Sequence, residues 1–308
     1  MKNSIDIPDR LARRKVRSRF RPQSSLGVIA ERRYLRQNMP AAMMRACARR
    51  GLAFDVICPQ SGRFDPAAGI LTSADGQRFD LRRYDTIVSR NRSGLGLSML
   101  SYAEGAGALT INRPSAIERV RNKADMAIAL ESAGIPTPPT ILTANIAALA
   151  GLADDWFPLI LKATYGDNSQ GLRVIRERED LADIHWNDDP VLAQKFLPGD
   201  GMDLKLYVCG DEVFAVHKAS PIGAALYAAP ERITADRAMI DLALRAGSVF
   251  GLEIFGVDAL ETADGIKVVE VNDFPNFTGV AEAADRLVDL LLSRRGAPRM
   301  DTAVEQVR

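Results

Sequence analysis

Apolar and polar positions along the chain follow two periods. Leu26–Ala30 is an unbroken apolar run of five, short enough for a buried strand. Residues 39–50 repeat at helical spacing and stop at Gly51, and residues 54–58 return to strand character. Tyr84 to Val88 predicts another strand, and Thr110-Ile111-Asn112 a brief one. Pro114 suits the first turn of one helix running to Ser132 and closed by Gly134, after which Pro136 to Pro139 forces an extended link. Beyond it strands dominate: residues 158–162, 172–175, 191–197, 203–209, 213–218, 254–261 and 266–272. Strands interleaved with helices in the first third predict an open α/β layer, and the hairpins that follow predict an α+β region.

The last two strands carry the densest chemistry. Ala263-Asp264-Gly265 suits a three-residue turn with Gly265 in the left-handed position. With Thr262 paired to Ile266, Asp258 falls opposite Glu270, and Asn272 shares the face of Glu270. Like charges facing each other destabilise a hairpin unless a cation neutralises them. Two carboxylates and an amide oxygen are hard donors that suit Mg²⁺. A solvated edge hairpin is the plainer alternative, but Glu270 follows Val268-Val269 in the most apolar part of its strand.

Composition narrows the classes. The 308 residues allow about two domains, with 47% hydrophobic and 26% charged residues and a net charge of +1. Cys47, Cys58 and Cys209 have neither metal nor redox spacing, and an odd number argues against a disulfide framework, so a reducing cytoplasm is expected. No apolar run is long enough to span a membrane, and the N-terminus lacks a signal core. His185 and His217 are too scattered for a zinc site. Residues 1–24 form a basic arm, read as solvated rather than as a nucleic-acid contact, because nothing else in the chain extends a basic groove.

Two further stretches bear on ligand binding. Residues 158–162 end in Lys162, and a glycine-rich loop from Gly166 to Gly171 leads into the next strand. A phosphate loop of the Walker type needs Lys-Ser or Lys-Thr and a helix after its second glycine; Leu172-Arg173 and a strand follow here. What is left is a strand–loop–strand flap over phosphates, with Lys162 beneath it. Gly210-Asp211 predicts a tight turn that sets Lys218 opposite Asp203, an ordinary cross-strand ion pair. Lys205 is then left for a phosphate. Arg90 and Arg92 follow a predicted strand, where α/β layers commonly bind ligands, and are candidate contacts to a substrate carboxylate or phosphate.

A helix lysine, strand lysine, glycine flap, Gln-x-Phe strand, Asp-x-Lys strand, then Asp and Glu-x-Asn: this order resembles the ATP-grasp superfamily over residues 85–292. The resemblance implies an ATP-grasp fold behind a Rossmann-like α/β domain, with ATP and Mg²⁺ as cofactors and Mn²⁺ as a substitute. Lys123 and Lys162 look like nucleotide-phosphate lysines, and Gly166 to Gly171 like the phosphate loop. Gln194, Lys195, Phe196 and Leu197 resemble the adenine hinge, acting largely through backbone groups, and Asp203 the ribose contact. Lys205 and Lys218 look like γ-phosphate and intermediate contacts, and Asp258, Glu270 and Asn272 like metal ligands. Arg90, Arg92 and Asn276 fall toward the second substrate.

Ser89-Arg90, Asn112 to Lys123 and Gly134 to Thr140 resemble the glutamate-adding carboxylate–amine ligases. Such an enzyme takes ATP, a carboxylate-bearing small molecule or peptide, and an amine such as an amino acid, and forms an amide through an acylphosphate. The alternative is an ATP-grasp inositol polyphosphate kinase, which Lys205-Leu-Tyr207-Val208 and Asn272-Asp-Phe274-Pro275-Asn276 resemble; those kinases carry a flap histidine, which Gly166 to Gly171 lacks. A nucleotide-binding scaffold without turnover is a third reading. The expected divisions are an arm (1–24), a substrate domain (25–109), a central subdomain with the flap (110–190), a C-terminal subdomain with the metal site (191–295) and a tail (296–308). Composition neither requires nor excludes a homo-oligomer.

Overall fold

The computed structural model describes residues 26–166, 172–186, 189–199, 201–220 and 229–295. The expected arm, the tail and Gly171 lie outside them. In chain order the elements begin with β1 (Leu26–Ala30), α1 (Asn38–Arg49) and β2 (Phe54–Ile57). A meander of β3 (Gly62–Asp65), β4 (Ile70–Ser73) and β5 (Arg78–Asp80) leads to β6 (Thr86–Arg90), α2 (Gly94–Gly105) and β7 (Leu109–Ile111). Then come α3 (Pro114–Arg121), α4 (Lys123–Ser132), β8 (Thr140–Thr143), β9 (Leu159–Ala163), β10 (Leu172–Ile175) and β11 (Val191–Lys195). The chain continues with β12 (Met202–Cys209), β13 (Glu212–Ala219), β14 (Glu231–Ile233), α5 (Arg237–Ser248), β15 (Ile254–Thr262), β16 (Gly265–Asn272) and α6 (Ala283–Arg295).

The first sheet is parallel, in the order β2-β1-β6-β7. Every residue of β1 is buried, as an apolar run covered on both faces requires. Its alternate residues serve two cores. Leu26, Val28 and Ala30 pack with Met39 and Met43 of α1 and Leu287, Val288 and Leu291 of α6. Ile29 packs with Ile57, Ile87 and the α2 residues Met99, Leu100 and Ala103. One core therefore joins the first strand of the described chain to its last helix. Four contacts of Arg49 and Arg50 with Asp285 and Asp289, at 2.7–2.8 Å, line the edge of that seam.

The remaining chain forms a four-stranded sheet, β10-β9-β11-β8, and a five-stranded antiparallel sheet, β14-β13-β12-β15-β16. β11 precedes β12 in the chain, and α4 packs against both sheets, with Lys123 N–H donating to the Thr164 carbonyl beyond β9 (3.0 Å) and Val268 N–H of β16 to the Pro136 carbonyl after α4 (2.7 Å). No helix among the described residues is long and apolar enough to cross a membrane.

Two local expectations need correction. The single helix over 114–132 is two helices, because Asn122 leaves helical geometry (φ −78°, ψ 102°) and its Oδ1 accepts from the N–H groups of Ala124 and Asp125. Lys123 is therefore the first residue of a capped helix, not a mid-helix side chain. The turn at Gly265 is also tighter than expected. Gly265 has the predicted positive φ, 103°. However, Thr262 pairs with Gly265, not Ile266. That register alone would put Val269 opposite Asp258. A β-bulge next to Asp258 inserts one residue and restores Glu270 to that position.

Candidate active site

A cleft of about 730 Å³ opens between the two C-terminal sheets and reaches the loops of the parallel sheet. Every candidate residue named above except Gly171 lines it. β12 supplies Asp203, Lys205 and Tyr207 on one face, as strand alternation dictates. β15 and β16 supply Asp258, Glu270 and Asn272, and α4 brings Lys123 to them from above. β9 and β11 supply Lys162 and Gln194 from the opposite sheet.

The lysines are already engaged. Lys123 Nζ donates to Glu270 Oε1. Lys205 Nζ lies 3.0 Å from Asp258 Oδ2 and 3.1 Å from Asp203 Oδ2. Burial works against the Lys205 charge, but those two carboxylates outweigh it and hold its pKa above the usual lysine range. The expected Asp203–Lys218 ion pair does not form, although the two residues are cross-strand neighbours. Lys205 is enclosed and needs a counter-ion, whereas Lys218 stays exposed, where an ion pair contributes little. Lys205 thus has carboxylate partners, contrary to the expectation that it would be left over.

Lys162 is held differently. Its ammonium donates to Gln194 Oε1 at 2.6 Å, Gln194 Nε2 donates to Thr140 Oγ1 at 3.1 Å, and Thr140 Oγ1 donates to the Pro138 carbonyl at 2.9 Å. With a neutral partner, its pKa falls to about 8 through burial; Glu270 partly offsets this, and Lys123 adds to it. Burial raises the Asp258 carboxyl; Lys205 opposes this and Glu270 reinforces it. Burial would also raise Glu270, but Lys123 outweighs it and holds that carboxyl below its usual range.

The hinge after β11 is tied down by its own backbone. Lys195 N–H donates to the Pro139 carbonyl at 2.9 Å and Phe196 N–H to the Pro158 carbonyl at 3.0 Å. The Lys195 ammonium turns away to Asp155 at 2.9 Å.

Arg90 is buried and reaches across to the loop after β16. Its guanidinium donates to the carbonyls of Phe274 (2.6 Å) and Pro275 (2.9 Å) and to Asn276 Oδ1 (3.3 Å), and lies over the Tyr34 ring at 4.7 Å. Arg90 was expected to meet substrate directly; here its donors hold the loop that carries Asn276. Arg92 bridges Asn272 Oδ1 (3.2 Å) and Asp273 Oδ1 (3.4 Å).

Three residues that sequence reasoning did not nominate hold this corner together. Asp273 is buried under Arg121, which reaches both carboxylate oxygens at 2.7 and 3.3 Å. The buried Asn112 amide donates to the carbonyls of Ile254 and Asp273 (2.6 and 2.7 Å) and accepts from Glu253 and Ile254 N–H (2.7 and 3.0 Å). A polar residue closing an apolar strand, as Asn112 closes Leu109–Ile111, was the available signal.

Residues 120–290, more than half of the chain, match the family model described as a RimK-like ATP-grasp domain. The chain belongs to the RimK-like ATP-grasp family. A tetrahydromethanopterin:alpha-L-glutamate ligase from Methanococcus maripaludis is 27% identical over 213 residues, 63% of this chain and 73% of that protein. A ribosomal protein bS6–L-glutamate ligase from Salmonella schwarzengrund is 26% identical over 268 residues, 77% and 84% of the two chains. The fold is also that of the ATP-grasp ligase PsnB, solved with a minimal precursor, Mg and ADP: the TM-score is 0.64 at 21% identity, covering 88% of this chain and 98% of that one.

Proposed function

We propose that the cleft joins a carboxylate to an amine, using ATP as a substrate and releasing ADP and phosphate. The observation that carries this reading is a single cleft in which Lys123, Lys162 and Lys205 gather around Asp203, Asp258 and Glu270, in a chain of the RimK-like ATP-grasp family whose named relatives are ligases. None of the relatives or structures named above is a kinase, so the polyol kinase reading has no support there.

In the proposed reaction a substrate carboxylate takes the γ-phosphoryl group of ATP, giving an acylphosphate and ADP. An amine nitrogen then attacks the acyl carbon, phosphate leaves, and the amine loses a proton. Lys123, Lys162 and Lys205 neutralise phosphate charge, and Lys218 meets the anion at the open end. Positioning and charge neutralisation lower the barrier, with no enzyme nucleophile. The N–H groups of Lys195 and Phe196 are spent on Pro139 and Pro158, which leaves an adenine to Leu197 and the hinge carbonyls. Asp203 on β12 is proposed to meet the ribose.

A divalent cation fits the hairpin. Asp258, Glu270 and Asn272 offer hard oxygens on neighbouring positions of the hairpin, with the two carboxylates directly opposite each other. When bound, Mg²⁺ or a substituting Mn²⁺ would neutralise charge on the transferred phosphate. The loops of residues 25–109 and Arg92, Asn276 and Lys218 are proposed to face the second substrate. The relatives' names set out two classes for it, a small molecule in one and a protein in the other. Three buried free cysteines suit a reducing cytoplasm, where the reading places the enzyme.

The test is product chemistry. ADP release is screened against amino acids, peptides, small carboxylates and polyol phosphates, and the product is weighed. Condensation with loss of water is expected; gain of one phosphoryl group on a hydroxyl would establish the kinase instead. Glu270→Gln and Asn272→Ala are each expected to lower turnover by about two to three orders of magnitude with the fold intact. Full activity in both would remove the metal assignment.

A further inference from the structure

Each of the three oxygen groups assigned to a divalent cation is held by a cationic side chain of the protein itself. Glu270 Oε1 accepts from Lys123 Nζ. Asp258 Oδ2 lies 3.0 Å from Lys205 Nζ. Asn272 Oδ1 accepts from Arg92 Nη2 at 3.2 Å. The three cations come from three separate parts of the chain: α4, β12 and the loop after β6.

We propose that these internal cations shut the metal site in the ligand-free protein, so that a divalent ion enters only together with the nucleotide. The inference rests on the reading of the cleft as an ATP site.

The physical argument is one of charge and space. A magnesium-sized ion binds oxygen at about 2.1 Å, so on either oxygen of Asp258 or Glu270 it would sit within roughly 3–5 Å of the ammonium already on that carboxylate. The two cations would share one carboxylate and repel each other in a partly enclosed site. The metal alone therefore has to displace a lysine into a cleft that offers it no new anion. Nucleotide alone has the opposite problem, since its phosphates must draw Lys123 and Lys205 away and leave Asp258 and Glu270 facing each other across the hairpin.

Together the two ligands exchange partners without stranding a charge. The lysines turn to the phosphates and the carboxylates to the metal. Binding of each then favours binding of the other by the same factor, as linkage requires. The arrangement gives Lys123 and Lys205 a second role, as counter-ions of Glu270 and Asp258. It also accounts for Lys205 being clamped between Asp203 and Asp258.

Binding of Mn²⁺, followed by loss of its free electron paramagnetic resonance signal, tests this without turnover. The wild-type chain and the Lys205→Met and Lys123→Met variants are titrated with Mn²⁺ alone. The wild type is titrated again with the non-hydrolysable analogue AMPPNP. The wild type is expected to bind Mn²⁺ weakly without nucleotide and to form a ternary complex with it. Each methionine variant should bind nucleotide-free Mn²⁺ at least about tenfold more tightly than the wild type, the coupling of a close charge pair. The two lysines serve different carboxylates, so if one variant does not fold the other decides.

Nucleotide-free Mn²⁺ binding as tight as that with AMPPNP overturns the proposal. So does an unchanged Mn²⁺ affinity in the folded variants while AMPPNP still binds the wild type, and in that case the ATP reading survives. If AMPPNP and Mn²⁺ together do not bind the wild type, the ATP reading falls and the inference falls with it.

Discussion

Among the lysines of the cleft, Lys162 differs in having a neutral partner, Gln194, and its pKa is pushed down to about 8 by burial. Near neutral pH it carries the charge that a phosphate needs; above that value it does not. Affinity for AMPPNP is therefore expected to fall by about tenfold between pH 7 and pH 9.5, the loss of one charge-assisted bond. Lys162→Met should bind weakly and show no step near pH 8. A flat profile in the wild type would remove Lys162 from the phosphate site. Stability follows the opposite course. Below about 8 both folded and unfolded chains hold this proton, and the cost of burying the charge is fully present. Between about 8 and the ordinary value of 10.5 the unfolded chain binds more protons, so stability rises with pH. Lys162→Met is accordingly expected to be the more stable protein at pH 7 in urea unfolding, with the gap closing toward pH 10.5.

At the scale of elements, what could be read from the sequence was local. The strands that alternate, the turn at Gly210, and Lys218 opposite Asp203 all follow from spacing within some sixteen residues. The partner of Lys205 does not. It is set by β15 lying beside β12, which brings Asp258 next to a lysine 53 positions earlier in the chain. The bulge beside Asp258 was equally hidden, since the tight turn and the bulge shift the register by one residue in opposite senses and cancel at Glu270. The meander of β3, β4 and β5 was missed because its strands are three or four residues long and fully buried only at Leu71 and Phe79, so they lack an extended apolar run. Gly247 in α5 was unremarkable as sequence, yet a Cβ built there would sit 2.0 Å from Cζ of Phe255, which is buried beneath the helix. Alanine would gain about 1 kcal/mol of helix propensity but meet a ring with nowhere to go. Overpacking of about 1–3 kcal/mol should win, and Gly247→Ala is expected to lower the melting temperature. Adding Phe255→Leu should recover part of the loss; a more stable single variant would show that α5 lifts off the sheet freely.

Across the whole molecule the core does not divide where the chain does. The expected boundary near residue 110 separates the parallel sheet from the ATP-grasp strands in sequence, but Phe274, Phe277, Val280, Leu287, Val288 and Leu291 are buried in one cluster with Leu26, Val28, Met39 and Met43. The loop that follows Asn272 therefore rests on the first domain, and Arg90 of β6 fastens it from the same side. Six apolar side chains re-exposed at about 1.5 kcal/mol each come to roughly 9 kcal/mol, comparable with the whole stability of an ordinary domain. Removing residues 1–109 should cost a large part of that, and it also frees the Phe274–Asn276 loop beside the proposed metal ligands. A fragment of residues 110–295 is expected to lack a cooperative thermal transition and to bind AMPPNP and Mn²⁺ at least about a hundredfold more weakly than the full chain, the effect of losing about 3 kcal/mol of preorganisation. Circular dichroism melting and calorimetric titration of both proteins decide it. A fragment that melts cooperatively and binds nucleotide with full affinity would mean that the first domain serves the second substrate alone, and that the shared core is dispensable for the ATP site.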